Sequence, residues 1–152
     1  MPKYGIRVKD IMEKKFLVIK PTHSIQKVAK IMHENHRSGV LILDDLGCPI
    51  GIVTLKDMVY KGLVKGIDPK TTKISVIMSK NLISIEPDED LSKAVKKMRE
   101  WRIRRLPVVK NKKLVGYITE SELSKLSPNL LETMIEKLKV LEPSFRLKVK
   151  RG

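Results

Sequence analysis

The sequence predicts a mixed α/β (α+β) fold built from two copies of one β-α-β-β-α unit. Ile11-Met12 recurs as Ile77-Met78, and Ile19-Lys20-Pro21 recurs as Ile85-Glu86-Pro87, each at a spacing of 66 residues. Between these landmarks, short apolar runs alternate with segments whose apolar residues follow helical spacing. One copy of about 55 residues is too small for a stable core, so we expect the two copies to pack together.

The strands and helices of each copy can be placed in order along the chain. A short apolar strand ends before a proline, an amphipathic helix follows, and a two-stranded hairpin leads into a second helix at Thr54 or Thr119. The predicted strands are 17–19, 40–43 and 50–53 in the first copy and 83–85, 106–109 and 114–118 in the second. The core positions of the first helices, spaced i, i+3, i+4 and i+7, are Ile25, Val28, Ala29 and Met32 and then Leu91, Ala94, Val95 and Met98.

Turn-forming residues divide the chain into four predicted parts. Gly66, Pro69 and a pair of threonines mark a linker after the first copy, and Ser127-Pro128 favours a new helix start after the second. The parts are repeat 1 at 8–63, the linker at 64–73, repeat 2 at 74–126, and a C-terminal helix with a basic tail at 127–152. The apolar stripe predicted for the last helix, at about 129–141, is Leu130, Leu131, Met134, Ile135, Leu138 and Leu141.

The most informative motif is Gly51-Ile52-Val53-Thr54-Leu55-Lys56-Asp57, which recurs as Gly116-Tyr117-Ile118-Thr119-Glu120-Ser121-Glu122. Taken alone, a threonine followed three residues later by an acid is a capping box, in which each side chain accepts from the other residue's amide. The same arrangement also offers a hydroxyl and amides to a phosphate and a carboxylate to a ribose. The duplication makes this second interpretation worth pursuing.

Composition limits the class of protein. The chain has 152 residues, is 41% hydrophobic, and contains no apolar run long enough for a transmembrane helix. It begins without the apolar stretch of a secretory signal and has a single cysteine, so we expect a cytoplasmic protein in a reducing compartment. His33 and His36 lack a third metal ligand, and no pair of residues suggests a general acid and base. We therefore expect neither a metal site nor an enzyme.

The net charge of +15 leaves an alternative function open. Ten basic residues and a single acid, Glu100, lie between Lys93 and Lys113. Such a run is most often a solvated face, but it can also bind nucleic acid through phosphate contacts. The alternative is thus an electrostatic nucleic-acid-binding protein that uses the 93–113 run and the C-terminal tail.

Taken together, the duplicated motifs resemble those of the CBS domain family, as a stand-alone tandem pair. The resemblance covers roughly residues 8–126 and rests on four pieces in the correct order. These are Val8-Lys9-Asp10-Ile11-Met12, the Ile-x-Pro before the first helix, Arg104-Arg105-Leu106-Pro107-Val108-Val109, and the motif that ends at Asp57. The resemblance implies two repeats packed about a pseudo-two-fold axis with two ligand clefts, and often a homodimer. It also implies a regulatory module that binds AMP, ADP, ATP or S-adenosylmethionine and acts on an unidentified protein partner. Association with a membrane is not expected.

The resemblance assigns residues to each cleft. In the first cleft, Thr54 would contact phosphate and Asp57 the ribose, with Ser38 from the same copy. The adenine would lie near residues of the other copy, namely Ile85, Glu86, Leu91, Arg104 and Arg105. The second cleft would use Thr119, Glu122 and Arg104. The residues around the adenine base in this cleft would be Ile19, Lys20, Ile25, Ser38 and Gly39.

Two departures from the family pattern bear on these assignments. Glu122 stands where the family has Asp, and its additional methylene suits the capping-box bond better than a ribose. The first copy has Ser38-Gly39 at the positions where the second copy has Arg104-Arg105. We therefore expect the second cleft to bind weakly or to be empty, and the first to depend on arginine from the second copy.

Overall fold

The computed structural model of the chain describes residues 5–130, 132 and 136. The chain forms two compact units. The repeat-1 unit comprises Leu17–Leu82, and the repeat-2 unit comprises the described residues before Leu17 and after Leu82. In chain order, the elements are α1 (Val8–Ile11), α2 (Ile25–Glu34), β1 (Gly39–Leu43), β2 (Pro49–Thr54), α3 (Leu55–Asp57), a π-helical continuation (Met58–Leu63), a 3-10 turn (Ile74–Val76), α4 (Leu91–Glu100), β3 (Arg105–Lys110), β4 (Lys113–Thr119) and α5 (Glu120–Ser124).

Both predicted hairpins are confirmed. In the repeat-1 unit, β1 pairs antiparallel with β2, and Gly39 lies opposite Thr54. In the repeat-2 unit, β3 pairs with β4 in the same way, and Arg105 lies opposite Thr119. The helices that follow begin where the motif predicts, because Thr54 and Thr119 are the N-caps of α3 and α5. The mixed helix and strand fold expected from the sequence is therefore observed.

Each unit has its own hydrophobic core. Every predicted core position of α2 and α4 is buried except Ala29, which is partly buried. The core of the repeat-1 unit consists of Ile19, Ile25, Val28, Met32, Val40, Ile42, Val53, Ile74 and Ile77. The core of the repeat-2 unit consists of Val8, Ile85, Leu91, Ala94, Val95, Met98, Leu106, Val108, Ile118 and Leu123.

The compact units differ from the sequence repeats at their ends. In the repeat-2 unit, Glu13 and Tyr117 exchange backbone hydrogen bonds of 2.9 and 3.0 Å, which adds the segment after α1 to the edge of β4. In the repeat-1 unit, Ser79 and Ile52 exchange equivalent bonds of 2.9 Å at the edge of β2. Each unit thus contains the segment that opens the other sequence repeat. Such pairing satisfies backbone groups that an edge strand would otherwise leave exposed.

The prediction of regular first strands at 17–19 and 83–85 is wrong. Each segment forms only one parallel bridge, Ile19 with Ile42 and Ile85 with Val108. The two prolines that follow, Pro21 and Pro87, have no amide hydrogen, so the ladder cannot continue through them.

The predicted C-terminal helix lies mostly outside the described residues. Its start is described, since the Ser127 hydroxyl accepts a hydrogen bond of 3.2 Å from the Leu130 amide. Leu130 packs against the core of the repeat-2 unit. The remaining stripe positions, Leu131, Met134, Ile135, Leu138 and Leu141, and the basic tail lie outside the described residues. In the described part of the chain, no helix has the length and apolar character needed to cross a bilayer.

Candidate ligand-binding site

The first copy of the motif forms a reciprocal capping box at the end of β2. The Thr54 amide donates to Asp57 Oδ2 at 2.9 Å, and the Thr54 hydroxyl donates to the same oxygen at 3.1 Å. In return, the Asp57 amide donates to Thr54 Oγ1 at 3.2 Å. The capping interpretation of the motif is therefore correct for this copy, and one carboxylate oxygen is fully used within the box.

The second oxygen of Asp57 faces a lysine that the sequence assignment left out. Lys61 Nζ lies 3.1 Å from Asp57 Oδ1, one turn further along the π-helical continuation. The Asp57 side chain is 16% exposed, whereas the Lys61 side chain is 42% exposed. The carboxylate is thus held in place while its cationic partner reaches solvent. An acid followed four residues later by a lysine on a predicted helix is the signal that would have identified this pair.

Ser38 and Gly39 lie beside this capping box. Gly39 is the register partner of Thr54, and the Ser38 carbonyl accepts a hydrogen bond of 3.0 Å from the Leu55 amide. Ser38 is exposed, and Gly39 is buried and has no side chain to cover Thr54. We call Ser38, Gly39, Thr54, Asp57 and Lys61 the Thr54 site.

The second copy of the motif forms a similar box in a more buried setting. Glu122 accepts from the Thr119 amide at 2.6 Å and also from the Thr119 hydroxyl. Glu122 is only 4% exposed. The residue that corresponds to Lys61 is Leu126, which packs against the core of the repeat-2 unit. The two boxes therefore differ both in burial and in the residue one turn further on.

A basic side chain is supplied from the strand in the second copy. Arg105, at the start of β3, lies opposite Thr119, and Arg104 precedes it on an exposed position. We call Arg104, Arg105, Thr119 and Glu122 the Thr119 site. At the Thr54 site, the lysine beside the acid comes from the helix, whereas at the Thr119 site an arginine is the register partner of the threonine in the neighbouring strand.

The residues assigned to the adenine side divide into buried and exposed groups. Ile19 and Ile25 belong to the core of the repeat-1 unit, and Ile85 and Leu91 belong to the core of the repeat-2 unit. Ile19 and Leu91 have no exposed surface at all. Lys20 and Glu86, the neighbours of Ile19 and Ile85, are exposed.

The basic run at 93–113 is partly neutralised within the repeat-2 unit. Lys93 pairs with Glu89 at 3.6 Å and Lys96 with Glu100 at 3.7 Å. Lys97 is drawn inward, because its Nζ donates to the Ser84 carbonyl at 2.7 Å. The run therefore does not present all of its cations to a single phosphate backbone.

Asp88 collects three further cations near the same run. Its carboxylate lies 3.0 Å from Lys9 Nζ, 3.7 Å from Arg7 Nη1 and 3.8 Å from Lys110 Nζ. The hydrogen bond from Lys9 is the main cause that lowers the pKa of Asp88, and the charges of Lys9, Lys110 and Arg7 add to it. This network links the segment at α1 to Asp88 and Lys110 within the repeat-2 unit.

Among the described residues, other polar clusters give no competing site. In the part of the chain that the structure describes, no three His, Cys, Asp or Glu side chains come together in a way that would hold a metal ion. Cys48 is partly buried in a turn, where its amide donates to Asp44 Oδ1 at 2.9 Å. The two capping boxes are thus the repeated polar feature on which a function can be built.

Comparisons with known proteins identify the same repeated organisation. The sequence model of the CBS domain family matches the chain twice, at residues 8–63 and 74–129. An uncharacterised protein of Methanopyrus kandleri is 33% identical over 103 residues, which make up 68% of this chain and 53% of the relative. A homoserine O-acetyltransferase of Methanococcoides burtonii is 32% identical over 100 residues, or 66% of this chain and 20% of the enzyme. The chain therefore spans about half the length of the first relative and a fifth of the second.

A solved structure extends the comparison to the fold. A CBS domain pair crystallised with 5′-methylthioadenosine and S-adenosyl-L-methionine is 30% identical to this chain and has a TM-score of 0.68. The similarity covers 79% of this chain and 94% of that structure.

Proposed function

The chain belongs to the CBS domain family, and on this premise we propose that it is a regulatory module that binds an adenosine-containing ligand at the Thr54 site. The candidate ligands are AMP, ADP, ATP and S-adenosylmethionine, which share adenine and ribose. The similar CBS pair named above was crystallised with two ligands that contain the same adenosine unit. This shared chemistry supports an adenosyl ligand for the present chain.

The observation that carries the proposal is the geometry of Asp57. One oxygen of its carboxylate is fixed by the backbone and hydroxyl of Thr54, so the other oxygen is held in a defined direction. A ribose offers two neighbouring hydroxyl donors, and an ionised carboxylate is an acceptor for both. Preorganisation of this kind lowers the entropic cost of binding. Asp57 is therefore the proposed ribose acceptor, and Thr54 and Ser38 are proposed to contact the phosphate side.

The residues that the family resemblance assigns to the adenine remain a proposal. Ile19 and Leu91 have no exposed surface, so direct contact of either residue with a base would require a local rearrangement. Exposed residues such as Glu86 and Arg104 would contact it through side chains. For the base of the ligand at Thr54 and Asp57, the assigned residues are Ile85, Glu86, Leu91, Arg104 and Arg105. For the base of a ligand at Thr119, Glu122 and Arg104, they are Ile19, Lys20, Ile25, Ser38 and Gly39.

The Thr119 site is proposed to bind more weakly than the Thr54 site. Glu122 is buried, whereas Asp57 is only partly buried. Ribose hydroxyls would therefore reach the free oxygen of the Glu122 carboxylate less readily than that of Asp57. We therefore expect one dominant binding event per chain.

The proposed output of the module is a change in its interaction with a protein partner or with a second copy of the chain. An exposed apolar face follows the Thr54 site with helical spacing, formed by Leu55, Val59, Tyr60, Leu63 and Val64. Large exposed apolar faces on soluble proteins commonly mark interaction sites. We propose that this face supports a homodimer. The similarity to homoserine O-acetyltransferase covers only a fifth of that enzyme, and we propose no catalytic activity here.

Two measurements test the proposed function. Mass spectrometry of small molecules released from the denatured, purified protein should detect an adenosine-containing compound. Titration calorimetry with AMP should then show binding that Asp57→Ala weakens by at least about 1 kcal/mol, the contribution of one hydrogen bond. Glu122→Ala should change the affinity less. If Asp57→Ala leaves the affinity unchanged and Glu122→Ala abolishes binding, the site is misassigned.

A further inference from the structure

We propose that Lys61 sets the charge preference of the Thr54 site and makes it select adenosine ligands that carry a 5′-phosphate. This inference rests on the proposed function, because it assumes that Asp57 receives a ribose. It concerns a residue outside the motif and outside the family-derived assignment.

The first step is that a ribose must compete with Lys61. Asp57 Oδ2 already accepts two hydrogen bonds from Thr54, so the ribose hydroxyls must approach Oδ1. That oxygen is 3.1 Å from Lys61 Nζ. Because 42% of the Lys61 side chain is exposed, the ammonium can swing into solvent, and exposed ion pairs of this kind contribute little net stability.

The second step is that the displaced ammonium needs a new partner beside the ligand. A 5′-phosphate supplies one, since it is anionic and lies on the same side of the nucleoside as the hydroxyl of Thr54 in the proposed orientation. The uncharged thioether of 5′-methylthioadenosine supplies none. Displacement of Lys61 is therefore compensated for AMP and not for 5′-methylthioadenosine.

The third step is that the Thr119 site has no lysine at the position that corresponds to Lys61. The residue that corresponds to Lys61 is the partly buried Leu126. Its basic residue, Arg105, comes instead from the strand opposite Thr119. The charge preference that Lys61 confers is thus specific to one of the two sites.

The test compares AMP with 5′-methylthioadenosine on the full chain. Binding is followed through the backbone amide resonances of Thr54 and Asp57, so that occupancy of the Thr119 site is not counted. Three variants are compared with the wild type: Lys61→Met, which removes the charge and keeps a helix-forming chain; Lys61→Arg, which keeps the charge; and Lys56→Met as the matched control. Lys56 is an exposed lysine of the same helix whose Nζ lies 5.8 Å from the centre of the Tyr60 ring.

The wild type should prefer AMP by at least about tenfold, which corresponds to about 1.4 kcal/mol. Lys61→Met should remove most of this preference by weakening AMP, while 5′-methylthioadenosine binds as before or more tightly. Lys61→Arg and Lys56→Met should keep the preference. An equal preference in the wild type and Lys61→Met, or an equal loss in Lys56→Met, overturns the role of Lys61 and leaves the proposed function intact. If neither ligand binds to the wild type, both proposals fail.

Discussion

Met12 lies against Gly116 in the repeat-2 unit, and Met78 lies against Gly51 at the corresponding place in the repeat-1 unit. A Cβ atom at Gly116 would come within 2.9 Å of Met12 Sδ and 2.8 Å of the Glu13 carbonyl oxygen. In the sequence, the Ile-Met pair and the glycine that opens the capping-box motif recur as separate features. In the structure, the methionine of one contacts the glycine of the other in both units. In each unit, this contact places the segment that contains the methionine against the strand that ends at a capping-box threonine, β4 before Thr119 and β2 before Thr54.

The two glycines should differ in their tolerance of a methyl group. At Gly116 the methyl would meet a backbone oxygen that cannot move alone, whereas at Gly51 it would meet only the Met78 side chain. We expect Gly116→Ala to lower the free energy of unfolding by about 1–3 kcal/mol, as overpacking does, and Gly51→Ala to cost less. Urea denaturation of both variants measures the difference.

A double variant sharpens this test. Met78→Ala should recover much of the loss caused by Gly51→Ala, because it removes the atoms that clash. Met12→Ala should not recover the loss in Gly116→Ala, since the Glu13 carbonyl remains. Equal rescue at the two sites would contradict the contact described above.

The turn between β3 and β4 contains a residue in an unfavourable backbone conformation. Asn111 and Lys112 have φ angles of 52° and 67°, which a two-residue hairpin requires and which lysine adopts poorly. Lys112→Gly should therefore raise the free energy of unfolding by about 0.5–1 kcal/mol. Lys113→Gly, at the first position of β4, should lower it instead. A loss of stability in Lys112→Gly would show that the turn does not adopt this conformation.

The Asp88 network makes a prediction for acid stability. Because the folded-state pKa of Asp88 lies below its usual value of 3.8, the carboxylate stabilises the fold above that pH. This contribution is lost as the pH falls through the folded-state pKa. Asp88→Asn should be slightly less stable than the wild type at neutral pH, and the difference should vanish at strongly acidic pH. Thermal unfolding across this range measures the difference in stability, and a difference that stays constant down to strongly acidic pH would contradict the prediction.

The exposed apolar face makes a prediction for assembly. Light scattering should give the mass of two 17.4 kDa chains at micromolar concentration. Leu63 is 78% exposed, the most of the five residues in the proposed interface, so Leu63→Lys should give the mass of one chain. Leu46→Lys changes a leucine of similar exposure in the turn between β1 and β2 and should leave the dimer intact. A wild-type mass of one chain would contradict the proposed dimer.

Local periodicity was sufficient to predict the hairpins and the two amphipathic helices α2 and α4. These elements depend on residues that are close in sequence, and their apolar spacing shows directly which face is buried. The same spacing placed Ile25 and Leu91 in the core, where the structure has them. The family resemblance also assigned these two residues to the adenine side of a ligand site, and that assignment remains a prediction.

Two features could not be read from local patterns. The pairing of Glu13 with Tyr117 and of Ser79 with Ile52 joins segments of different repeats, and no local rule specifies which sheet edge a short segment will pair with. The short bridges at Ile19 and Ile85 depend on the same kind of distant contact. The Asp57 and Lys61 pair, by contrast, was visible as a spacing of four residues and was missed because Lys61 lies outside the recurrent motif.

The central claim is that Asp57 receives the ribose hydroxyls of an adenosine ligand, and a thermodynamic cycle tests it most directly. Calorimetry would compare AMP with its 2′,3′-dideoxy analogue on the wild type and on Asp57→Asn, which keeps one oxygen for the capping box. We predict that loss of the two hydroxyls weakens binding to the wild type by at least about tenfold and has little further effect on Asp57→Asn. If the hydroxyls contribute equally to both proteins, Asp57 does not contact the ribose and the account is wrong.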